Sequence, residues 1–223
     1  MDYDRLLSDR VMKIKPSGIR RFFDLAESMD ECIALGVGEP DFKTPWHIRE
    51  KGIYTLRSGK TRYTANSGIE ELRRSISGYL LRRFGIEYDF KEEVLVTVGG
   101  SEGIDAAIRA IVNPGDEVLV PEPSFVCYRP LAELAGGVAV TLPTYEKDNF
   151  RLTPEVLKNA ITEKTKLLIL PYPNNPTGAV MRKEDYEKIA EVLRGTDIFV
   201  ISDEIYIELN YTGEEPVSFA SID

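Results

Sequence analysis

Four short stretches carry functional groups in spacings suited to holding a small anionic ligand. Gly99-Gly100-Ser101-Glu102-Gly103 joins glycines, which let a backbone approach a ligand closely, to the start of a helical run. Free N–H groups and the dipole at a helix N-terminus favour an anion such as phosphate. The run is neither G-x-G-x-x-G nor a G-K-[ST] loop, so it does not indicate a nucleotide site. Pro121-Glu122-Pro123-Ser124-Phe125 uses two prolines to hold an extended lead, and Phe125 at its end is able to stack on a flat ring. Pro171-Tyr172-Pro173-Asn174-Asn175-Pro176-Thr177-Gly178 is a stiff loop bearing two amides. Asp203-Glu204-Ile205-Tyr206 follows the apolar run IFVIS, and a carboxylate there is costly unless it meets a cation or donors. The N–H⁺ of a heteroaromatic ring would serve. Asp203 and Tyr206 are three apart, so one helical turn would put both on one face. Taken singly, each stretch also reads as ordinary structure: Ser101 as an N-cap, Phe125 as a core side chain, the proline loop as a turn, Asp203 as a turn cap.

The elements that must position these groups follow from hydrophobic patterning. Strands are predicted at Glu93–Val98, Glu117–Val120, GVAVTL, KLLILPYP and IFVIS, with helices at Ser101–Val112, Phe125–Ala135, TPEVLKNAI and EDYEKIAEVLRG between them. Thr153 is the expected N-cap of the third, with Pro154 at its first position, and Gly195 is expected to close the fourth. Runs as apolar as LLIL and IFVI are covered on both faces, which means a parallel sheet flanked by helices. The expected fold class is α/β, a doubly wound, mostly parallel sheet. Ligands of such sheets bind outside the carboxyl ends of the strands, where all four stretches stand. Further upstream, IRRFFDLAESM, HIREKGIYTLRSG and IEELRRSISGYLLRRFG have helical spacing. The first 45 residues lack that rhythm and hold a basic amphipathic piece, Val11 to Ala26, then the strand-like CIALGVGEPDF.

Composition narrows the function. The chain has 223 residues, enough for one large domain or one domain and part of another. Acidic residues outnumber basic ones, 37 to 28, for a net charge of −9, which argues against nucleic acid as a partner. No apolar run approaches the ~18 residues of a membrane span. His47 is the sole histidine, and Cys32 and Cys127 are the only cysteines, so no zinc site and no disulfide framework is expected. The N-terminus MDYDRLLSDR is acidic where a signal peptide is basic, and a cytoplasmic protein is expected.

Jointly, the four stretches bring an anion cradle, an aromatic plate, an amide, a carboxylate and a phenol to one sheet edge. That set fits a phosphorylated, planar, nitrogen-containing cofactor, and pyridoxal 5'-phosphate matches it, with Asp203 keeping the ring nitrogen protonated as an electron sink. The sequence resembles the class I/II aminotransferases, the aspartate aminotransferase-like group of fold-type-I pyridoxal-phosphate enzymes, over its N-terminal and central part. The motifs are G-E-P-D-F at Gly38–Phe42, G-K-T-R-Y at Gly59–Tyr63, V-G-G-S-E at Val98–Glu102, P-G-D-E-V at Pro114–Val118, N-N-P-T-G at Asn174–Gly178 and S-D-E-I-Y at Ser202–Tyr206.

The resemblance implies that Gly100, Ser101 and Glu102 hold the cofactor phosphate through their backbone, and that Phe125 stacks on the pyridine ring. It implies that Asn175 and Tyr206 bond the ring hydroxyl oxygen and that Asp203 partners the ring nitrogen. Tyr63 would reach the phosphate of a neighbouring subunit, which implies a homodimer. Gly38 would lie beside the substrate carboxylate, and Lys15 to Ile19 matches a segment that folds over the pocket. The resemblance also implies that residues 1–45 contribute to a small domain and that 46–223 form a ligand-binding large domain, incomplete at its C-terminal end. The implied reaction moves an amino group from an amino acid to a 2-oxo acid, in amino acid metabolism and a biosynthetic process. The chain departs from the family at Ser124, where many relatives have an aromatic. The family's Schiff-base lysine is expected beyond Asp223, in a segment like S-K-x-x-x-M-x-G-x-R, so the 223 residues are expected to carry no catalytic residue and to be inactive alone. Alternatives are a carbon–sulfur β-lyase on the same fold, a non-catalytic dimerising or cofactor-binding truncation, and a cofactor-binding regulator domain. The N-N-P-T-G loop fits the aminotransferase side better, and the N-terminus has no helix-turn-helix to support a regulator.

Overall fold

The computed structural model describes residues 5–15, 18, 22, 25, 28, 29, 33, 38 and 42–222. The expected helix at IRRFFDLAESM and the strand-like CIALGVGEPDF fall largely outside the described residues. The chain divides into two compact units, Met1–Ile14 with Ser67–Asp223, and Lys15–Asn66. The second contains helix α2, Trp46–Arg57. The first contains α1, Asp9–Lys13, and all the elements that follow.

Helix α3, Glu70–Phe84, starts on two acids and ends on Arg82 and Arg83, the charge order that a helix dipole favours. Gly85 terminates it at φ 72°, and its N–H and that of Ile86 bond Leu81 and Leu80 carbonyls. Only a residue without a Cβ takes that left-handed cap freely. Arg73 is buried on this helix. Its guanidinium donates to the carbonyls of Gly68, Phe90 and Lys91 and so ties down the chain on both sides of it.

Four strands form the sheet: β1 (Glu117–Glu122), β2 (Val138–Pro143), β3 (Thr165–Leu170) and β4 (Phe199–Ser202), in the order β2-β1-β3-β4. Every pairing is parallel, and one register row runs Val140, Leu119, Leu168, Val200. The connections carry α5 (Tyr128–Ala135), α6 (Pro154–Ala160) and α7 (Lys183–Leu193), with α4 (Gly100–Ile111) ahead of β1. As expected, Thr153 caps α6, accepting from Val156 N–H at 3.4 Å.

Side-chain alternation along the strands builds two cores. Val118, Val120, Leu167 and Ile169 face Ile104 and Ile108 of α4 and Tyr128 and Ala132 of α5. Leu119, Leu168 and Leu170 face Leu157 of α6 and Tyr186 and Ile189 of α7. Burial on both faces is why these strands read as continuous apolar runs. The fold class is therefore the expected one, α/β with helices on both faces of a parallel sheet.

Two local expectations are corrected. Glu93–Val98 forms no strand. A strand exists only with a ladder partner, and here Val96 N–H goes instead to Ser67 O, 3.0 Å away, in a loop contact. The helix expected from Phe125 begins at Tyr128, so Phe125 lies on the loop before it. Among the described residues, no helix is long and apolar enough to cross a membrane.

Leu168 is fully buried at the centre of the sheet. Leu168→Ala should lower unfolding stability by about 2–5 kcal/mol, seen as a lower urea midpoint with an unchanged denaturant slope. A loss under half of that would show that the central strand is looser than its packing implies.

Candidate cofactor site

Strand order decides where a ligand can sit. From β1 the chain leaves through α5 on one face, and from β3 it leaves through α7 on the other, while β1 and β3 are neighbours. The two departures open a crevice at the carboxyl ends of these strands, which is the switch point of a doubly wound sheet. A cleft of about 590 Å³, mouth included, lies there. Its lining takes residues from four separate segments: Gly100, Ser101 and Ile104; Phe125 and Tyr128; Pro171, Pro173 and Asn175; Asp203, Ile205 and Tyr206. An apolar wall carrying a few polar groups is the usual make-up of a small-molecule site.

Each polar group reaches the cleft for a local reason. Gly99 turns at φ 86° and ψ 159°, a conformation open to glycine, and delivers the chain into α4. The hydroxyl of Thr97 donates to Gly99 O at 2.9 Å. The Glu102 carboxylate accepts from Val98 N–H and braces the turn, so this side chain is committed to the turn and is not among the cleft-lining residues. Gly100 and Ser101 stand in the first turn of α4, where N–H groups have no partner within the helix. Ser101 is a first-turn residue and not the cap; the cap is Gly99.

Within the proline loop the two amides separate. Asn174 is buried, and its Oδ1 accepts from the N–H and hydroxyl of Thr177, 3.3 and 2.9 Å away. It holds the loop shut. Asn175 is exposed and lines the cleft. The same division occurs after β4. Glu204 Oε1 accepts from Ser202 Oγ, Ser218 Oγ and Phe219 N–H at 2.8, 2.9 and 2.9 Å, which pins the C-terminal segment. Asp203, half-buried, lines the cleft. Asp203 N–H donates to Leu170 O at 3.1 Å, so its backbone prolongs the sheet. Residues 205–208 form turns rather than a helix, yet Asp203 and Tyr206 still share the cleft wall.

Tyr128 was not among the residues singled out by chemistry in the sequence. It is buried, and its hydroxyl donates to Asp203 Oδ2 at 2.7 Å. Burial first, then the Asp203 charge, pushes its phenol far above the usual range, so it keeps its proton and remains a donor. The Phe125 and Tyr128 rings meet edge to face, with centroids 6.0 Å apart and an interplanar angle of 79°. Their spacing of three in S-F-V-C-Y was the available signal. Gly38 and Tyr63 belong to the Lys15–Asn66 unit, in which Tyr63 is fully exposed.

The arrangement offers unpartnered helix amides for an anion, an aromatic face for a flat ring, an amide and a phenol for an oxygen, and an oriented carboxylate for a ring N–H⁺. These residues fit pyridoxal phosphate.

Comparisons with known proteins agree. The family model described as aminotransferase class I and II matches residues 30–222. The Bacillus subtilis protein YugH is 51% identical over 216 residues, covering 97% of this chain and 56% of that protein. Aspartate aminotransferase of Pyrococcus abyssi is 45% identical over 217 residues, with coverages of 97% and 56%. The structure of Thermus thermophilus aspartate aminotransferase with maleate superimposes with a TM-score of 0.90 at 39% identity, covering 97% of this chain and 57% of that one. The chain spans about half the length of the curated relatives it matches.

Cys127 borders the cleft. Burial first, then the Asp203 charge, raises its thiol from 9.0 to about 11, against an opposing hydrogen bond with Ser101. The folded thiol thus holds its proton where an unfolded one has released it. This contribution to stability is intact below pH 9 and is lost as pH rises through about 11. At pH 8, a maleimide should label Cys127 far more slowly in the folded than in the urea-unfolded protein, as read by peptide mapping that separates it from Cys32. Equal rates would contradict the half-buried, proton-retaining environment.

Proposed function

The chain belongs to the class I and II aminotransferases, and from that premise we propose that it takes part in moving an amino group from an amino acid to a 2-oxo acid with pyridoxal phosphate. Enzymes of this family work with that cofactor. The observation that carries the reading is the convergence of Phe125, Asn175, Asp203 and Tyr206 with the first turn of α4 on one cleft at the sheet's switch point.

When bound, the cofactor supplies an electron sink for bonds at the substrate α-carbon. The chain's own residues bind and orient it. Gly100 and Ser101, with Glu102 contributing its backbone, hold the phosphate. Phe125 covers one ring face. Asn175 and Tyr206 bond the ring hydroxyl oxygen. Asp203 accepts from the ring nitrogen and holds a proton there, because a carboxylate at a half-buried strand end favours a cation beside it.

Further parts of the reading concern the whole protein. Tyr63 reaches the phosphate of a neighbouring subunit in a homodimer, and its full exposure supports such use. Gly38 lies beside the substrate carboxylate. Residues 1–45 contribute to a small domain, and 46–223 form the cofactor-binding large domain. The protein is cytoplasmic. Relatives named for aspartate, aromatic amino acids and N-acetyl-LL-diaminopimelate differ in side chain, so the shared substrate feature is the α-amino acid itself.

Adding pyridoxal phosphate to the full-length protein should produce a visible absorption band that moves when an amino-acid donor is added. A protein with neither response would overturn the reading. Asp203→Ala removes a charge-assisted hydrogen bond worth about 1.5–3 kcal/mol, so cofactor affinity measured by absorbance titration should drop at least about tenfold. An unchanged affinity would remove Asp203 from the site.

A further inference from the structure

Tyr206 enters the cleft from a run of turns, residues 205–208, and not from a strand or helix. Upstream the chain is fixed: Asp203 N–H bonds the sheet at Leu170 O, and Glu204 gathers donors from Ser202, Ser218 and Phe219. Within the turns, Ile207 N–H donates to Glu204 O at 2.9 Å and Leu209 N–H to Tyr206 O at 2.8 Å. A segment closed only by its own turn bonds opens readily, so the position of Tyr206 also depends on what holds the chain downstream.

That anchor is Glu208. Its Oε1 accepts from the Tyr79 hydroxyl at 2.5 Å and from Arg83 Nε at 2.9 Å, and its Oε2 faces Arg83 Nη2 at 3.5 Å. Arg83 also donates through Nη1 to Glu215 Oε2 at 2.8 Å. Tyr79 and Arg83 are four apart on α3 and therefore share one face of it. Single exposed ion pairs contribute little. Here a guanidinium fork and a phenol converge on one carboxylate, which fixes its direction as well as its charge. Arg83 first, then the Tyr79 hydroxyl, holds the Glu208 carboxyl below its usual range. Burial first, then the bond to Glu208, raises the Tyr79 phenol to about 12, so at neutral pH it keeps its proton and remains a donor.

We propose that the Tyr79–Arg83–Glu208 cluster is a positioning device for Tyr206: α3 grips the chain two residues past Tyr206 and so sets where its phenol meets a ligand. The inference rests on the reading of the cleft as a pyridoxal-phosphate site. With the grip in place the phenol is ordered before the cofactor arrives. Without it, that ordering is charged to binding.

The test is an equilibrium titration of the full-length protein with pyridoxal phosphate, read by cofactor absorbance, with the melting temperature of the cofactor-free protein as the control for folding. Glu208→Ala should bind about three- to tenfold more weakly, the size of one side chain's ordering cost. The bound cofactor's absorption band should move in the same direction as in Tyr206→Phe. In a Tyr206→Phe background, Glu208→Ala should cost less than about twofold further, because the cluster acts through Tyr206. The gap between wild type and Glu208→Ala should narrow in about 1 M salt, where exposed ion pairs are screened. Glu208→Gln keeps an acceptor for Tyr79 and removes the charge. It should fall between wild type and Glu208→Ala, and it serves as the test should the Ala variant fail to fold. If the wild type binds no pyridoxal phosphate, the site reading itself fails. If the wild type binds and both Glu208 variants bind equally well, the positioning role is overturned and the site reading stands. A loss that persists in full beside Tyr206→Phe would likewise overturn it and reduce the cluster to a brace for the fold.

Discussion

The pairing of β1 with β3 is the constraint on which the site depends. These strands lie side by side, and their following helices leave to opposite faces. The two departures leave a crevice at the carboxyl ends. The row Val140, Leu119, Leu168, Val200 sets the register that brings Glu122, Leu170 and Ser202 to the same edge. A slip of one residue in any pairing would turn each apolar set to the wrong face. It would also carry Phe125, Asn175 or Asp203 away from the others. Core packing and site assembly are therefore one constraint here.

At this edge, neighbouring residues of the same chemical type divide the work. Asn174 ties the proline loop to itself, and Asn175 faces the cleft. Glu204 gathers three donors and anchors the C-terminal segment, while Asp203 lines the cleft. In each pair the two side chains leave the backbone in different directions as the chain turns away from the sheet. One member of each pair becomes internal scaffolding and fixes the backbone from which the other projects. Binding side chains in the cleft thereby stand on segments whose freedom has already been removed, which lowers the ordering cost of taking up a ligand.

Charge in the cleft follows the same economy. Asp203 is surrounded by donors rather than by cations: the Tyr128 hydroxyl on one oxygen and the Ile205 N–H on the other. Dipolar donors hold a carboxylate without neutralising it, so its charge remains available to a cationic partner. The same charge helps to raise the Tyr128 phenol and the Cys127 thiol, which keeps both neighbours neutral. Asp203 thus has no second anion beside it in that group of three.

Much of this was legible in the sequence. The apolar runs LLIL and IFVI specify strands buried on both faces because only such burial offsets an unbroken apolar run. Prolines, glycines and polar residues after those runs mark where the backbone leaves the sheet. The fold class and the strand ends bearing Phe125, Asn175 and Asp203 follow from this local physics. Tertiary structure alone decided the rest. Glu93–Val98 has the composition of a strand, but a ladder needs a partner, and sequence pattern does not supply one. The separate roles of Asn174 and Asn175, and of Asp203 and Glu204, depend on which way a chain faces after it leaves the sheet. The bond from Tyr128 to Asp203 joins residues 75 apart. Composition and spacing describe a residue's own neighbourhood along the chain. A hydrogen bond across a crevice forms only when two strands have been set side by side.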